Sequence, residues 1–364
     1  MYNSGRDTFE GDFMRKFDYR SGYGMLLTPQ MVGLLSQIHE CKGEQKSLIG
    51  ARADALTQLL ETARIQSTDA SNRMEGIDTH NDRLKKIVMD KTMPRTRSEC
   101  RIAGYRDVLI TIGSDYDYLP PKTSVFLQLH RDLHRFSGTN NGGKYRESDP
   151  VACENSFGNK AACFKPLPAW ETAEAVNAAC TALAKALDDP DLDPLLIIPM
   201  FILDFLCIQP FDEDNGRMSR LLTLLLLFRS GYMAGKYISI EKEIEHTREA
   251  YYEALRQSSL GWHEAQNDYL PFVNYMLSVI ANACGEFSNR MQALTAGHLS
   301  KPERIEAILQ EHTGRITKAE ISQKCPDIAQ ITIQRTLADL LNDEKILKIG
   351  GGRYTAYIWN RENE

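Results

Sequence analysis

Two runs of nearly unbroken hydrophobic residues, 195–208 and 221–228, flank a short polar string, and no other feature of the sequence restricts the possible folds so tightly. The runs are too short to cross a bilayer as clean helices, and Asp204 interrupts the first. They are too apolar all round to lie on a surface, so each reads as a buried core helix. Burying two such helices requires others packed around them. Helical periodicity recurs at 28–38, 51–65, 83–89, 98–112, 121–136, 170–187 and 244–258, which makes the class mainly α. A chain of 364 residues is long enough for two or three units with separate cores.

The string from Gln209 to Arg220 is costly to place between core helices unless it has a use. Asn215 and Gly216 open the second helix, whose first N–H groups and positive dipole end attract anions. Arg217 and Arg220, three apart, share a face of its first turn, where guanidinium forks fit phosphate oxygens. Glu213, just before them, is an oxygen donor suited to magnesium on a polyphosphate. Cradle, cation ligand and paired arginines together suggest a nucleoside triphosphate. The plainer alternative is that 212–214 caps the helix and the arginines form surface ion pairs.

Outside this string, Gly142 and Gly143 and the polar punctuation at 155–159 suit a β-hairpin laid on the helical body. Residues 294–302, with Gly297, Ser300 and Pro302, read as a linker. Beyond it, 303–359 reads helix, turn, helix, then strand, glycine turn, strand, the order of a winged helix-turn-helix. Thr332, Gln334 and Arg335 are expected to be exposed on its second helix and Arg353 on its wing. Between 301 and 364, however, ten Lys and Arg balance ten Asp and Glu. Contact with DNA therefore lacks its usual electrostatic footprint, and a protein-contact or homodimer-forming module is an equal alternative. The overall net charge of −6 also argues against a chain built all over for nucleic acid. Eight scattered cysteines without a CxxC pair, and no signal-peptide pattern, fit free thiols in the cytoplasm and no membrane partner.

Pro210, Phe211, Glu213, Asn215, Gly216, Arg217 and Arg220 resemble, in order, the signature HPFx[DE]GN[GK]RxxR of the Fic (Fido) family. Its enzymes generally transfer AMP from ATP to a protein hydroxyl. The likeness extends over roughly residues 50–290, and SNRMEGI at 71–77 is similar to the family's inhibitory motif [ST]xxxE[GN]. The resemblance implies an N-terminal helical region, 1–100, carrying an inhibition helix. It further implies a Fic-type helical bundle at 101–293, with a β-hairpin flap at about 144–167 that docks a protein target, and an appended winged helix at 303–364. By that resemblance Glu213 holds magnesium across the α- and β-phosphates of ATP. Asn215, Gly216 and Arg217 hold phosphate oxygens, and Arg220 grips the γ-phosphate. Glu75, one helical turn after Ser71, is implied to pair with Arg220 and so to block productive ATP binding. Phe211 is expected to anchor the loop in the core.

Two positions depart from the family pattern. Where the family has its histidine base, this chain has Gln209, whose amide cannot accept the attacking hydroxyl's proton. Loss of a general base costs roughly 10²- to 10⁴-fold in rate. Where the family has glycine in the anion hole, Asp214 places a carboxylate beside the phosphate site, opposes ATP by like charge, and reads as a good N-cap for the helix that follows. The counter-reading is that Asp212, Glu213 and Asp214 bind magnesium more strongly and the site moves a different phosphate group. His130 and His134 have the i, i+4 spacing of zinc ligands, but no third ligand is evident, and packing is the simpler role. Tyr251 and Tyr252 are candidates to stack on adenine, with core packing as the alternative. Two functions remain open: an ATP-binding Fic protein, autoinhibited through Glu75 and impaired at Gln209, or a non-enzymatic regulator that uses the winged helix.

Overall fold

The alternation of apolar helices with short polar connections folds as a helical body followed by a smaller C-terminal module. The computed structural model describes residues 15–51, 53–138, 141–149, 164–295, 300–312, 314–352 and 355–360. The helices of the body are α1 (Pro29–Ala51), α2 (Ala53–Arg73), α3 (Asn81–Val88), α4 (Arg97–Asp115), α5 (Thr123–Leu133), α6 (Thr172–Leu187), α7 (Pro194–Ile208), α8 (Asn215–Arg229), α9 (Ala234–Tyr237), α10 (Ile240–His246), α11 (Arg248–Ser259) and α12 (Leu270–Thr295). The module comprises α13 (Lys301–Glu311), β1 (Ile316–Thr317), α14 (Lys318–Lys324), α15 (Gln330–Asn342), β2 (Ile346–Ile349) and β3 (Ala356–Trp359). The fold is the expected mainly α, Fic-type architecture. Among the described residues no helix is long and apolar enough to cross a membrane.

The two apolar runs form the centre. Helix α7 starts on the Asp193 carboxylate, which accepts from the Leu195 N–H at 2.9 Å, with Pro194 in the first turn where its missing N–H costs nothing. Every residue from Leu195 to Ile208 is buried, against α6, α8 and α12. Gln209 ends the helix in a left-handed conformation, φ 47°. Helix α8 packs against α7 and is buried from Arg217 to Phe228. Helix α4 crosses α5 so closely that a Cβ on Gly104 would lie 1.9 Å from the Leu133 carbonyl oxygen. Only glycine permits that crossing, and it brings the last turn of α5 against the face of α4 that carries Arg101.

Several elements differ from the sequence expectation. Helix α2 runs on to Arg73 and so carries Ser71, while the expected segment 244–258 breaks at Thr247 into α10 and α11. The 26-residue α12 was not anticipated. Its Val273, Asn274, Ser278, Asn282 and Gly285 dilute the helical signal, and burial against α1, α7 and α11 overrides their low propensity. Of the expected flap, about 144–167, residues 150–163 lie outside the described residues, and the flanking 144–149 and 164–167 contain no strand. All three strands among the described residues belong to the module, in the antiparallel order β1-β3-β2. The module has its own core around Ile305, Leu309, Ile321, Ile333 and Leu337. Capping boxes at Ser300/Glu303 and Thr317/Glu320 start α13 and α14. On α15, Gln334 and Arg335 are exposed and Thr332 is half-buried, whereas Arg353 lies outside the described residues.

Candidate functional site

Helix α2 ends in a buried polar face, Ser67, Thr68, Ser71 and Asn72, which an apolar core would not tolerate without partners. Ser67 is answered by Ser239 and Glu241 at α10, and Ser71 and Asn72 meet the start of α8. Arg220, buried beneath α2, donates from Nε to the Ser71 hydroxyl at 2.8 Å and from Nη2 to the Ser71 carbonyl at 2.9 Å. The same Nη2 donates to Glu75 Oε1 at 2.8 Å. Burial alone would lower the pKa of Arg220, but Glu75 beside it, with Tyr251 and Tyr105, holds it raised. Glu75 also lies over the first turn of α8, where a Cβ on Gly216 would stand 2.4 Å from its Oε1. A glutamate side chain thus fills the space in front of the first residues of this helix, where an incoming anion would sit.

Arg217 is fully buried and equally engaged. Its Nη1 donates to Asn72 Oδ1 and to the Arg101 carbonyl, both at 2.9 Å. Its Nε and Nη2 fork onto the two oxygens of Asp214 at 2.9 and 2.6 Å. Asp214 is itself a structural exception, a non-glycine residue at φ 70°. That left-handed turn directs its carboxylate inward rather than along the helix, and it makes no side-chain cap bond to α8. The expected N-cap role is therefore corrected: the side chain has better partners than the backbone. Arg101 Nη2 donates to Oδ1 at 2.5 Å, and His134 Nε2 lies 3.0 Å from Oδ2. Burial by itself would raise the pKa of Asp214, but His134, Arg217 and Arg101 outweigh it and hold the carboxyl far below the usual carboxylate range.

The other expected site residues are placed as follows. Asn215 uses both ends of its amide on the Phe211 backbone, accepting from N–H at 3.0 Å and donating to the carbonyl at 2.7 Å. Through these two bonds it braces the loop. Phe211 is buried and stacks on His130, with ring centroids 3.8 Å apart at 7°. His130 accepts from the Gly143 N–H, and its pKa is pushed down to about 4 by burial and by neighbouring His134. The two histidines thus pack and pair rather than converge on a metal. Tyr251, expected to offer a face to adenine, is 3% exposed and enclosed by Tyr252, Phe272 and Tyr275, so it serves the core. Gln209 lies at the loop's entry, where its carbonyl accepts from Arg146 Nε at 2.8 Å. The Arg146 N–H bonds the Pro210 carbonyl at 2.9 Å, tying the segment after Gly143 to the loop.

Glu213 faces Arg97 and Arg101 at 3.9 and 3.8 Å. These residues, with Glu75, Ser98 and Asp214, line an open cleft of about 480 Å³. In this arrangement the groups implied to receive ATP and magnesium are engaged by the chain's own side chains. Both arginines that would hold phosphate are bonded to carboxylates, and Glu213 beside them is opposed by two guanidinium groups. No group of three His, Cys, Asp or Glu that could hold a metal occurs among the described residues.

The sequence reading missed Arg101, His134, Asn72 and Arg146 as parts of this site. His134 was visible through its spacing from His130, but that spacing pointed to zinc. Asn72 lay inside the 71–77 motif without an assigned partner, and Arg101 carried no local signal, because its role depends on the crossing of α4 and α8.

The helical body presents paired buried arginines at the start of a core helix. Residues 120–227 match the Fic/DOC family, so the chain carries a domain of that family. No curated protein matches the chain. Among solved structures it is similar to a Fic family protein from Desulfovibrio desulfuricans, 21% identical over 92% of this chain and 97% of that one, with a TM-score of 0.57. A Fic domain containing signaling protein from Bacteroides thetaiotaomicron is 19% identical, covering 72% of this chain and all (100%) of that one at a TM-score of 0.59. Fic-1 from C. elegans is 17% identical over 73% of each chain, with a TM-score of 0.55. These neighbours share the fold.

Proposed function

We propose that this chain is a silent relative of the protein adenylyltransferases: a cytoplasmic Fic-fold regulator in which Glu75 keeps the ATP phosphate site shut and Gln209 supplies no general base. The observation that carries the reading is the Glu75 side chain, bonded to Arg220 and seated over Gly216 where the end of a triphosphate would lie. Positioning and charge neutralisation are what such a site contributes to phosphoryl chemistry, and the groups that would provide both are already satisfied internally. The C-terminal module is assigned as a winged helix by its element order. Its α15 presents Arg335 together with Asp339 and the exposed Ile331, a mixed surface that suits a protein contact better than a DNA groove.

The test is transfer of label from α-labelled ATP to protein. The native chain gives none, whereas a triple variant, Gln209→His with Asp214→Gly and Glu75→Gly, labels itself or an added protein. Labelling by the native chain would overturn the loss of the base. A triple variant that binds ATP yet stays silent would overturn descent from the transferase plan.

A further inference from the structure

The carboxylate of Asp214 is surrounded by more positive charge than one carboxylate requires. Arg217 forks onto both its oxygens, Arg101 bonds one of them, and His134 lies against the other. This is the donor set of an oxyanion site: two guanidinium groups and an imidazole converging on one buried point from α8, α4 and the end of α5. Only one of the two carboxylates here, that of Asp214, bonds both arginines closely; Glu213 pairs with Arg101 at the longer distance of 3.8 Å. Arg101 Nε is also buried with no hydrogen-bond partner among the described residues, a donor left over by an anion smaller than the site. The left-handed backbone at 214 is the conformation glycine adopts without strain, so the aspartate side chain is held there by its partners and not by local preference.

We infer that Asp214 is the resident anion of a phosphoryl-binding site formed by Arg217, Arg101 and His134. Without that carboxylate, the site takes inorganic phosphate or the phosphate of a larger ligand. The inference rests on the reading of this loop as a phosphate cradle, and it adds a second occupant that Glu75 does not control. Glu75 sits on Arg220 from a separate helix end and can withdraw with it. Asp214 is part of the loop and leaves only if the loop rearranges. Release of Glu75 alone therefore does not clear the cradle.

The experiment is thermal unfolding of the full chain with added inorganic phosphate, using sodium chloride at matched ionic strength as the control. Native protein shows the same shift in both salts. Asp214→Gly unfolds at a lower temperature than native, and phosphate recovers that loss in a saturable manner that chloride does not reproduce. Adding Arg101→Ala to Asp214→Gly removes the recovery. If Asp214→Gly is unfolded without phosphate, regain of helical circular dichroism on adding phosphate is the same result, and Asp214→Ser provides a less severe version. A folded Asp214→Gly or Asp214→Ser chain that responds alike to phosphate and chloride overturns the inference, as does phosphate-specific stabilisation of the native chain. Because the probe is inorganic phosphate, this outcome is independent of the label-transfer test, which addresses the transferase reading.

Discussion

Replacing Asp214 by asparagine keeps the side-chain size and removes the charge, which isolates the electrostatic role of this residue. Its carboxylate and the Arg217 guanidinium are both fully buried. Breaking one side of such a pair costs about 3–5 kcal/mol, because the remaining charge stays desolvated. Arg101 retains 22% exposure and recovers some hydration, so the lower end, about 3 kcal/mol, is expected. Glu75→Gln is the matched comparison. Glu75 is 29% exposed, and Arg220 keeps two bonds to Ser71. A charge-assisted hydrogen bond discounted for solvent screening leaves about 1 kcal/mol. At about 2–4 °C per kcal/mol for a body of this size, Asp214→Asn lowers the unfolding temperature by roughly 6–12 °C and Glu75→Gln by roughly 2–4 °C. Differential scanning calorimetry of the full chain at neutral pH reads both. Raising the salt concentration leaves the Asp214 effect largely intact, since buried pairs are weakly screened. The reasoning fails if Asp214→Asn costs no more than Glu75→Gln, because the carboxylate would then be solvated.

Two further outcomes follow from packing and protonation. His130 is buried with a pKa of about 4, against about 6.5 when unfolded, so below pH 6.5 the unfolded chain takes a proton that the folded one refuses. Stability therefore falls as pH drops from about 6.5 to about 4, by up to about 3 kcal/mol, and His130→Phe, which can still stack on Phe211, flattens that slope in a series of melts across this range. Parallel pH curves for the two proteins would show that the imidazole is solvated. Gly104→Ala drives a methyl into the Leu133 carbonyl, and the α4/α5 crossing opens at a cost of about 1–3 kcal/mol or more in urea unfolding. An unchanged midpoint would show that the crossing yields freely.

How much of this could be read from the sequence depended on distance along the chain. The central helices were legible because 195–208 and 221–228 carry their signal locally, and the arginine spacing at the start of α8 is a property of one helical turn. Glu75 was placed opposite Arg220 by resemblance alone. The role of Asp214 was legible only as an unwelcome charge. Its partners Arg101, on α4, and His134, directly after α5, converge only because Gly104 lets these helices touch. The inward turn of the side chain depends on a left-handed backbone that nothing in a single sequence specifies at an aspartate. The two bonds that the Asn215 amide makes to the Phe211 backbone were not legible either.

The measurement that bears most directly on the internally occupied cradle is calorimetric titration of ATP, with magnesium, into four proteins: native, Glu75→Gly, Asp214→Gly and the double variant. Native chain and Glu75→Gly give no binding heat, and the double variant binds saturably. Saturable binding of ATP to Glu75→Gly, with Asp214 still in place, would contradict it.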